Sequence, residues 1–334
     1  MRRLGVFVGE DENWTFFREI FDDLATCYET QVYAEKVHRT PLLYGRLNRW
    51  AYRRRIRALL RNDICFFEWA SALLASASRM PKTCPVVARL HSFELHFWAH
   101  EIEWNNVDRI VFVSNASAAR FVDLYPAQAG KATVVYNGVS LDRFRPGPRR
   151  FQWNLGMLAE VTPKKRIYEA VLTLHALRAQ GYPARLHVGG GWTRSGLLRQ
   201  YRDAIVSLVQ RLGLREHVVL HGYVEDTPRW LRDIDVFVSN SYWEGQQVAL
   251  IEAMASGCWC VSHAWPGAEE MLPAENLYES DADLAAKLIE YACRSDAERS
   301  VAQERMRAIA ERKFDIEKTK AGIRSVLEDT LAKS

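Results

Sequence analysis

Two glutamates, Glu244 and Glu252, bracket the stretch of this 334-residue chain whose residue types and spacing are best suited to chemistry. The segment reads Ser239-Asn-Ser-Tyr-Trp-Glu-Gly-Gln-Gln-Val-Ala-Leu-Ile-Glu-Ala-Met-Ala-Ser-Gly257. An apolar strand, Asp235–Val238, ends in a small polar loop, Glu244-Gly245 follows, and a helix begins at Gln246 or Gln247. Glycine lets a ligand approach the backbone closely. The unpaired amides and positive dipole end of a helix N-terminus suit a diphosphate. From those positions two carboxylates can accept hydrogen bonds from different hydroxyls of one ligand, for instance a sugar and a ribose. The alternative is that Glu244 caps the helix and Glu252 is solvated.

Cations stand upstream, in Thr162-Pro-Lys-Lys-Arg166 between a strand ending at Gly156 and a helix. A fixed lysine or arginine stabilises an anion such as a diphosphate, including negative charge that develops during a reaction, without a metal. Lys165, Lys164 and Arg166 are the candidates, set against solvated loop charges. In the first half, His91 follows the strand Val86–Leu90 within Arg89-Leu-His-Ser-Phe-Glu94. Arg89 and Glu94 are placed to orient it or to touch a ligand. At the N-terminus, Gly9-Glu-Asp-Glu-Asn-Trp14 follows the first strand and lacks GxGxxG, which argues against a nicotinamide or flavin. Its three acids repel phosphate, so Gly9 is expected on the acceptor side. Asp233-Ile-Asp235 has the spacing of a metal-binding pair but opens a buried strand, and no metal is expected. No carboxylate pair is placed as in glycosidases.

The elements that must hold these residues alternate. Strands are expected at Leu4–Val8, Gln31–Ala34, Ile64–Phe67, Val86–Leu90, Arg109–Val113 and Ala132–Tyr136, with a helix at Trp14–Cys27 and helical periodicity between most others. Arg145-Pro-Gly-Pro-Arg149 breaks the pattern. It resumes with strands at Phe151–Gly156, Ala184–Val188, His217–Leu220, Val236–Ser239 and Cys258–Ser262. Helices are expected at Ile167–Gln180, Leu197–Leu212, Gln247–Ala255 and Ala282–Cys293, followed by a helical tail from Asp296 to Lys333 interrupted near Phe314. This predicts an α/β protein of two doubly wound domains facing across a cleft, with ligands at the carboxyl ends of the strands. The boundaries are 1–147 and 148–312, both Rossmann-like, and 313–334, a C-terminal helix packing back toward the first domain; a resemblance to a known family, carried by the Glu244–Glu252 segment, implies that the first takes an acceptor and the second a nucleotide sugar.

Composition agrees: 48% hydrophobic residues suffice for two cores, and a net charge of +4 is too mild to imply nucleic acid. No apolar run is long enough to span a membrane. The basic N-terminus leads into a strand rather than a signal peptide. The six cysteines include no CxxC, and Cys258 and Cys260 read as buried strand residues, which fits a reducing cytoplasm.

The Glu244–Glu252 segment resembles the Glu-x7-Glu signature of glycosyltransferase family 4, including its small-residue helix and Ala-x-Gly end. Phe112-Val-Ser-Asn115, Tyr136-Asn-Gly-Val139 with Phe144, and Leu231–Val238 follow the family's order, so the resemblance spans most of the chain. It implies the GT-B fold, retention of anomeric configuration and a nucleotide-sugar co-substrate without other cofactor, UDP- and GDP-sugars not being distinguished. By the same resemblance Glu244 contacts the donor sugar and Glu252 the ribose. Gly245, Gln246, Gln247 and Val248 offer backbone contacts to sugar or phosphate. Lys165, or less well Lys164, meets the diphosphate, and His91 lies near donor sugar and acceptor. His221-Gly222-Tyr223-Val224 holds the nucleobase, and Trp265–Glu270 matches the turn that carries a glutamate, here Glu270. Two departures stand out: Gly-Gln-Gln replaces the usual Gly-Phe-Gly, and Met157 occupies the place of an arginine. Sugar-nucleotide epimerases or hydrolases, and a non-catalytic binding protein, are the alternatives on the same fold.

Arg46, Arg49, Arg53, Arg54, Arg55, Arg57 and Arg61 crowd a helix with Leu47, Trp50, Tyr52, Ile56, Leu59 and Leu60. A basic amphipathic helix of this kind suits an anionic membrane surface or an anionic, lipid-linked acceptor. The expected location is cytoplasmic, peripheral on the inner face of a membrane, with no nucleic-acid partner.

Overall fold

The computed structural model describes residues 1–9, 14, 17–34, 44–192 and 196–333, with backbone only at 44–46. The chain forms two units, Met1–Asn137 with Ile316–Ser334, and Gly138–Asp315.

The first unit is a six-stranded parallel sheet of β1 (Arg3–Phe7), β2 (Glu29–Val32), β3 (Ile64–Phe67), β4 (Val86–Leu90), β5 (Arg109–Phe112) and β6 (Ala132–Val134), in the order β2-β1-β3-β4-β5-β6. β3 shows why an all-apolar run becomes a central strand. Successive side chains of a strand point to opposite faces. Cys65 and Phe67 enter a core with Ile56, Leu74, Leu95 and Phe121. Ile64 and Phe66 enter a second core with Phe17, Leu24, Ile323 and Leu327. Both faces are covered, as parallel sheets require. The second core is closed by the last helix, Ile316–Ala332, against the helix Arg18–Cys27, with Arg324 paired to Asp23. At Gly322 a Cβ would meet Val135 Cγ1 at 2.9 Å, so the helix needs glycine there to approach β6.

The second unit is also a six-stranded parallel sheet: β7 (Asn154–Leu158), β8 (Arg185–Gly189), β9 (Val218–Gly222), β10 (Val236–Ser239), β11 (Trp259–His263) and β12 (Leu277–Tyr278), ordered β12-β11-β10-β7-β8-β9. The expected strand Phe151–Gly156 starts later and ends later. Trp153 has φ 61°, a left-handed conformation that no strand accommodates, so pairing begins at Asn154. β12 has two residues, too few to show a period. Asp235 is structural. Its Oδ2 accepts from the backbone N–H groups of Gln152 and Asn154, both at 2.9 Å, and ties β10 to the entry of β7. Cys258 and Cys260 are fully buried. The tail is two helices, Asp296–Lys313 and Ile316–Ala332, broken at Phe314. No helix among the described residues is long and apolar enough to cross a membrane.

Candidate active site

Ligands in open parallel sheets bind where the strand order reverses, outside the carboxyl ends of the two strands involved. In the second unit the order runs outward from β7 to β8 and β9, and oppositely from β10 to β11 and β12. The reversal therefore lies between β7 and β10. β7 leads into the loop holding Lys164 and Lys165, and β10 into the loop holding Glu244. Adjacent parallel strands thus bring together residues some eighty positions apart.

Lys164 Nζ stands 3.0 Å from Glu244 Oε2, and Lys165 pairs with Oε1 of the same carboxylate. Ser241 Oγ donates to Oε1 at 2.7 Å. The Glu244 side chain is only 9% exposed. Burial is the largest influence on its carboxyl and pushes it up, yet the two lysines and Ser241 together hold it below the usual range. Burial likewise pulls the Lys164 ammonium down, with Glu244 opposing. Beneath the cluster the loops are clamped. Tyr242 N donates to Lys164 O at 3.0 Å, Asn240 Nδ2 donates to Arg166 O at 2.8 Å, and Tyr278 OH donates to Asn240 Oδ1 at 2.7 Å. Arg166, with φ 52°, gives its guanidinium to Asn240 and Asp281. Its guanidinium is thus engaged in clamping the loop. Met157, at the expected arginine position, is buried.

Glu252 lies on the helix Val248–Ala255. Its carboxyl is half-buried and has no hydrogen-bond partner among the described residues. Burial raises its pKa to about 7, with Arg143 opposing weakly. Gly245, Gln246 and Gln247 are buried and Val248 half-buried at the helix start. Gln247 Oε1 is buried without a partner among the described residues. Tyr242 and Trp243 flank Glu244, both exposed, with Arg166 over the first ring and Lys164 over the second. β9 ends at Gly222, with φ 69°, and the turn after it carries Tyr223, 76% exposed, and Val224. Glu270 sits in a turn whose carbonyl accepts from Lys313.

In the first unit the order reverses between β1 and β3. Gly9 follows β1, while Glu10–Asn13 lie outside the described residues. At the carboxyl ends of β3 and β4, Glu68, Arg89 and His91 form one buried polar cluster with Asn137. Arg89 Nη1 donates to Glu68 Oε1 at 3.1 Å and its Nη2 to Asn137 Oδ1 at 2.6 Å. His91 Nε2 lies 3.3 Å from Glu68 Oε1, and its ring packs on Trp69 with centroids 4.4 Å apart. Glu94 closes a capping box with His91 at the helix Ser92–Phe97. Arg89 is therefore wholly enclosed, and Glu94 holds backbone. Sequence reasoning passed over Glu68, Ser241 and Asn240. A glutamate ending the apolar run Ile64–Phe67 is the signal that pointed to the first; the other two have none. No cluster of three metal-ligating side chains occurs among the described residues.

These two units are doubly wound α/β folds, a class that takes ligands at the carboxyl ends of its strands, and in the second the charged side chains gather at the reversal. Residues 153–293 match the family described as Glycosyl transferases group 1, and residues 16–143 match Glycosyltransferase Family 4. The two matches cover both units, and the chain belongs to glycosyltransferase family 4. It is 27% identical over 146 residues to a UDP-Gal:alpha-D-GlcNAc-diphosphoundecaprenol alpha-1,3-galactosyltransferase of Escherichia coli, covering 39% of this chain and 36% of that one. It is 30% identical over 167 residues to a D-inositol 3-phosphate glycosyltransferase of Catenulispora acidiphila, covering 45% and 38%. The matches thus span little more than a third of those relatives. In fold it is similar to Anabaena HepE in complex with UDP and glucose, with TM-score 0.79, 18% identity and coverage of 98% and 99%. A sucrose-phosphate synthase from Thermosynechococcus elongatus gives TM-score 0.79 at 15% identity, covering all of both chains (100% and 100%). These likenesses establish the GT-B fold.

Proposed function

We propose that the protein is a retaining, metal-independent hexosyltransferase that moves a sugar from a nucleotide sugar to a hydroxyl of a glycan or lipid-linked acceptor, in cell-surface polysaccharide or glycolipid assembly. The observation that carries this reading is the Lys164–Lys165–Glu244 cluster at the reversal between β7 and β10, beside a helix start. It sets two cations for a diphosphate next to a carboxylate for sugar hydroxyls. The unpartnered Glu252 carboxyl suits ribose hydroxyls. The exposed Tyr223 and the Gly222–Val224 turn suit a nucleobase. In the reaction the acceptor oxygen forms the new glycosidic bond on the face from which the diphosphate departs. The C–O bond to phosphate breaks, its electron pair stays on the diphosphate, and a phosphate oxygen takes the acceptor proton. The protein contributes orientation and electrostatics rather than a covalent intermediate. The match to a relative named for a UDP-galactose donor supports a uridine nucleotide, as does HepE's complex with UDP.

The test is a thermal-shift screen against UDP, GDP, ADP and their sugars, followed by donor consumption with and without acceptor. Stabilisation by one nucleotide and consumption that requires acceptor are expected. Consumption without any acceptor points to an epimerase or hydrolase, and no stabilisation by any nucleotide sinks the donor-binding assignment.

The basic helix supports an anionic surface as the site of action. In Tyr44–Leu59, Ile56 is buried, as is Leu60 just beyond, while Arg49, Arg53, Arg54, Arg57 and Trp50 are exposed and no acidic residue is present. Arg54 stacks on Trp50 at 5.0 Å. Each arginine near an anionic leaflet is worth about 1 kcal/mol. Arg53→Glu with Arg57→Glu should therefore abolish pelleting with phosphatidylglycerol vesicles and leave the melting temperature near that of the wild type. Equal pelleting by both proteins would remove the membrane from the proposal.

A further inference from the structure

The buried cluster of the first unit contains a carboxylate to which the transfer reaction proposed above gives no role. β3 and β4 pair with Phe67 opposite Ala88, so Glu68 and Arg89 come next, side by side, at the strand ends. Both are fully buried, 3.1 Å apart, and His91 is 9% exposed beside them. Charges enclosed in this way persist only when paired. The charged groups facing the imidazole are Glu68, Arg89 and, from the first helical turn, Glu94. Each ring nitrogen has a protein partner. In the capping box the His91 side chain accepts from the Glu94 backbone N–H. Nε2 is turned to Glu68 Oε1 at 3.3 Å, and an ionised carboxylate can only accept. One nitrogen must therefore be bare and the other protonated.

We propose that Glu68 is a positioning residue that fixes His91 as the neutral Nε2–H tautomer, with Arg89 neutralising Glu68 so that its charge does not draw a second proton onto the ring. The assignment rests on the reading of His91 as part of a transferase site and sharpens it. A ring whose basic nitrogen caps a helix does not act as general base, so the proton of the acceptor hydroxyl leaves by another route. Burial lowers the His91 pKa, in the same direction, with Glu68 opposing.

Side-chain nitrogen NMR on histidine-labelled protein decides this without an activity assay, the His91 signal being identified by its loss in His91→Gln. The wild type should show protonated Nε2 and bare Nδ1 between about pH 6 and 8. Arg89→Met leaves the Glu68 carboxylate unneutralised against the ring, and His91 titration should move up by about one unit or more. Glu68→Gln combined with Arg89→Met removes both charges together, protects the fold and should return the titration to its wild-type position. Transfer by Arg89→Met should fall at neutral pH and recover toward alkaline pH as the ring loses its extra proton. A wild-type Nδ1–H tautomer, a doubly protonated ring at pH 7, or an Arg89→Met titration identical to wild type would each overturn the assignment. Failure of every variant to transfer sugar would count against the proposed reaction, while the spectra would still decide the role of Glu68.

Discussion

Lys165→Ala should reduce sugar transfer by about 10²–10³-fold, the usual cost of removing one preorganised group that stabilises developing charge. The fold should survive, because Glu244 keeps Lys164 at 3.0 Å and Ser241 at 2.7 Å and is not left as an unpaired buried charge. The loss should fall on kcat more than on KM, since the diphosphate gains negative charge only as the glycosidic bond breaks. Glu244→Gln separates the two halves of the site. It removes the acceptor for sugar hydroxyls and should abolish most transfer. It also releases both lysines from a carboxylate that competes with phosphate for them, so free nucleoside diphosphate should bind about tenfold more tightly than to wild type. Calorimetry with the nucleotide alone and steady-state transfer on the same preparations check both statements. Near-normal turnover in Lys165→Ala, or weakened nucleotide binding in Glu244→Gln, would contradict the cluster as described.

Glu252→Gln should stabilise the protein at alkaline pH while weakening nucleotide binding. The carboxyl titrates at about 7 in the folded chain against an ordinary value of 4.5 because it is enclosed without a hydrogen-bond partner among the described residues. A raised carboxylate pKa contributes stability that is fully present below the unfolded value and is lost as pH rises through the folded one. The ionised group therefore costs at most about 3 kcal/mol at alkaline pH, and glutamine removes that cost. The melting temperature should rise on substitution at about pH 8.5 and be unchanged at about pH 4.5. On the proposed role, in which ribose hydroxyls donate to the ionised carboxylate, wild-type affinity should fall as pH drops through 7, and binding near pH 7 should release protons to the buffer. The variant should bind about 10–100-fold more weakly at neutral pH, the range for lost hydrogen bonds to a charged group, and without that pH dependence. A melting shift equal at both pH values would refute the buried-charge account. PH-independent wild-type affinity would remove Glu252 from the nucleotide site.

Departures from the usual pattern are informative at the donor end. Gln246 and Gln247 fill the helix start with buried side chains where backbone alone was expected, and Gln247 Oε1 lacks a partner among the described residues. Met157 faces the core, and Arg166 serves the loop. Lys164 and Lys165 are the cations at the reversal between β7 and β10, both held by one carboxylate.

Sequence by itself determined what depends on local chemistry and short-range period. The alternation of apolar runs and helical faces established two parallel α/β units and placed β3, β4 and β10 at their observed limits, because strands buried on both faces are apolar without interruption. The break near Phe314 and the helix after Gln247 were legible from helical periodicity and its interruption. Glu244, Glu252 and the lysines stood out as candidates for chemistry because each lies within a few residues of a helix start, a position suited to anions. Tertiary structure decided what depends on strand order. Only the reversal between β7 and β10 sets Lys164 against Glu244, and only the adjacency of β3 and β4 sets Glu68 between Arg89 and His91. Arg89 was open to two readings, orienting His91 or touching a ligand, and is wholly enclosed, since which face of a central strand receives a charge follows from what its neighbours offer there. In the sequence Glu68 is only a glutamate ending an apolar run, and its partners arise when two strands distant in sequence end side by side.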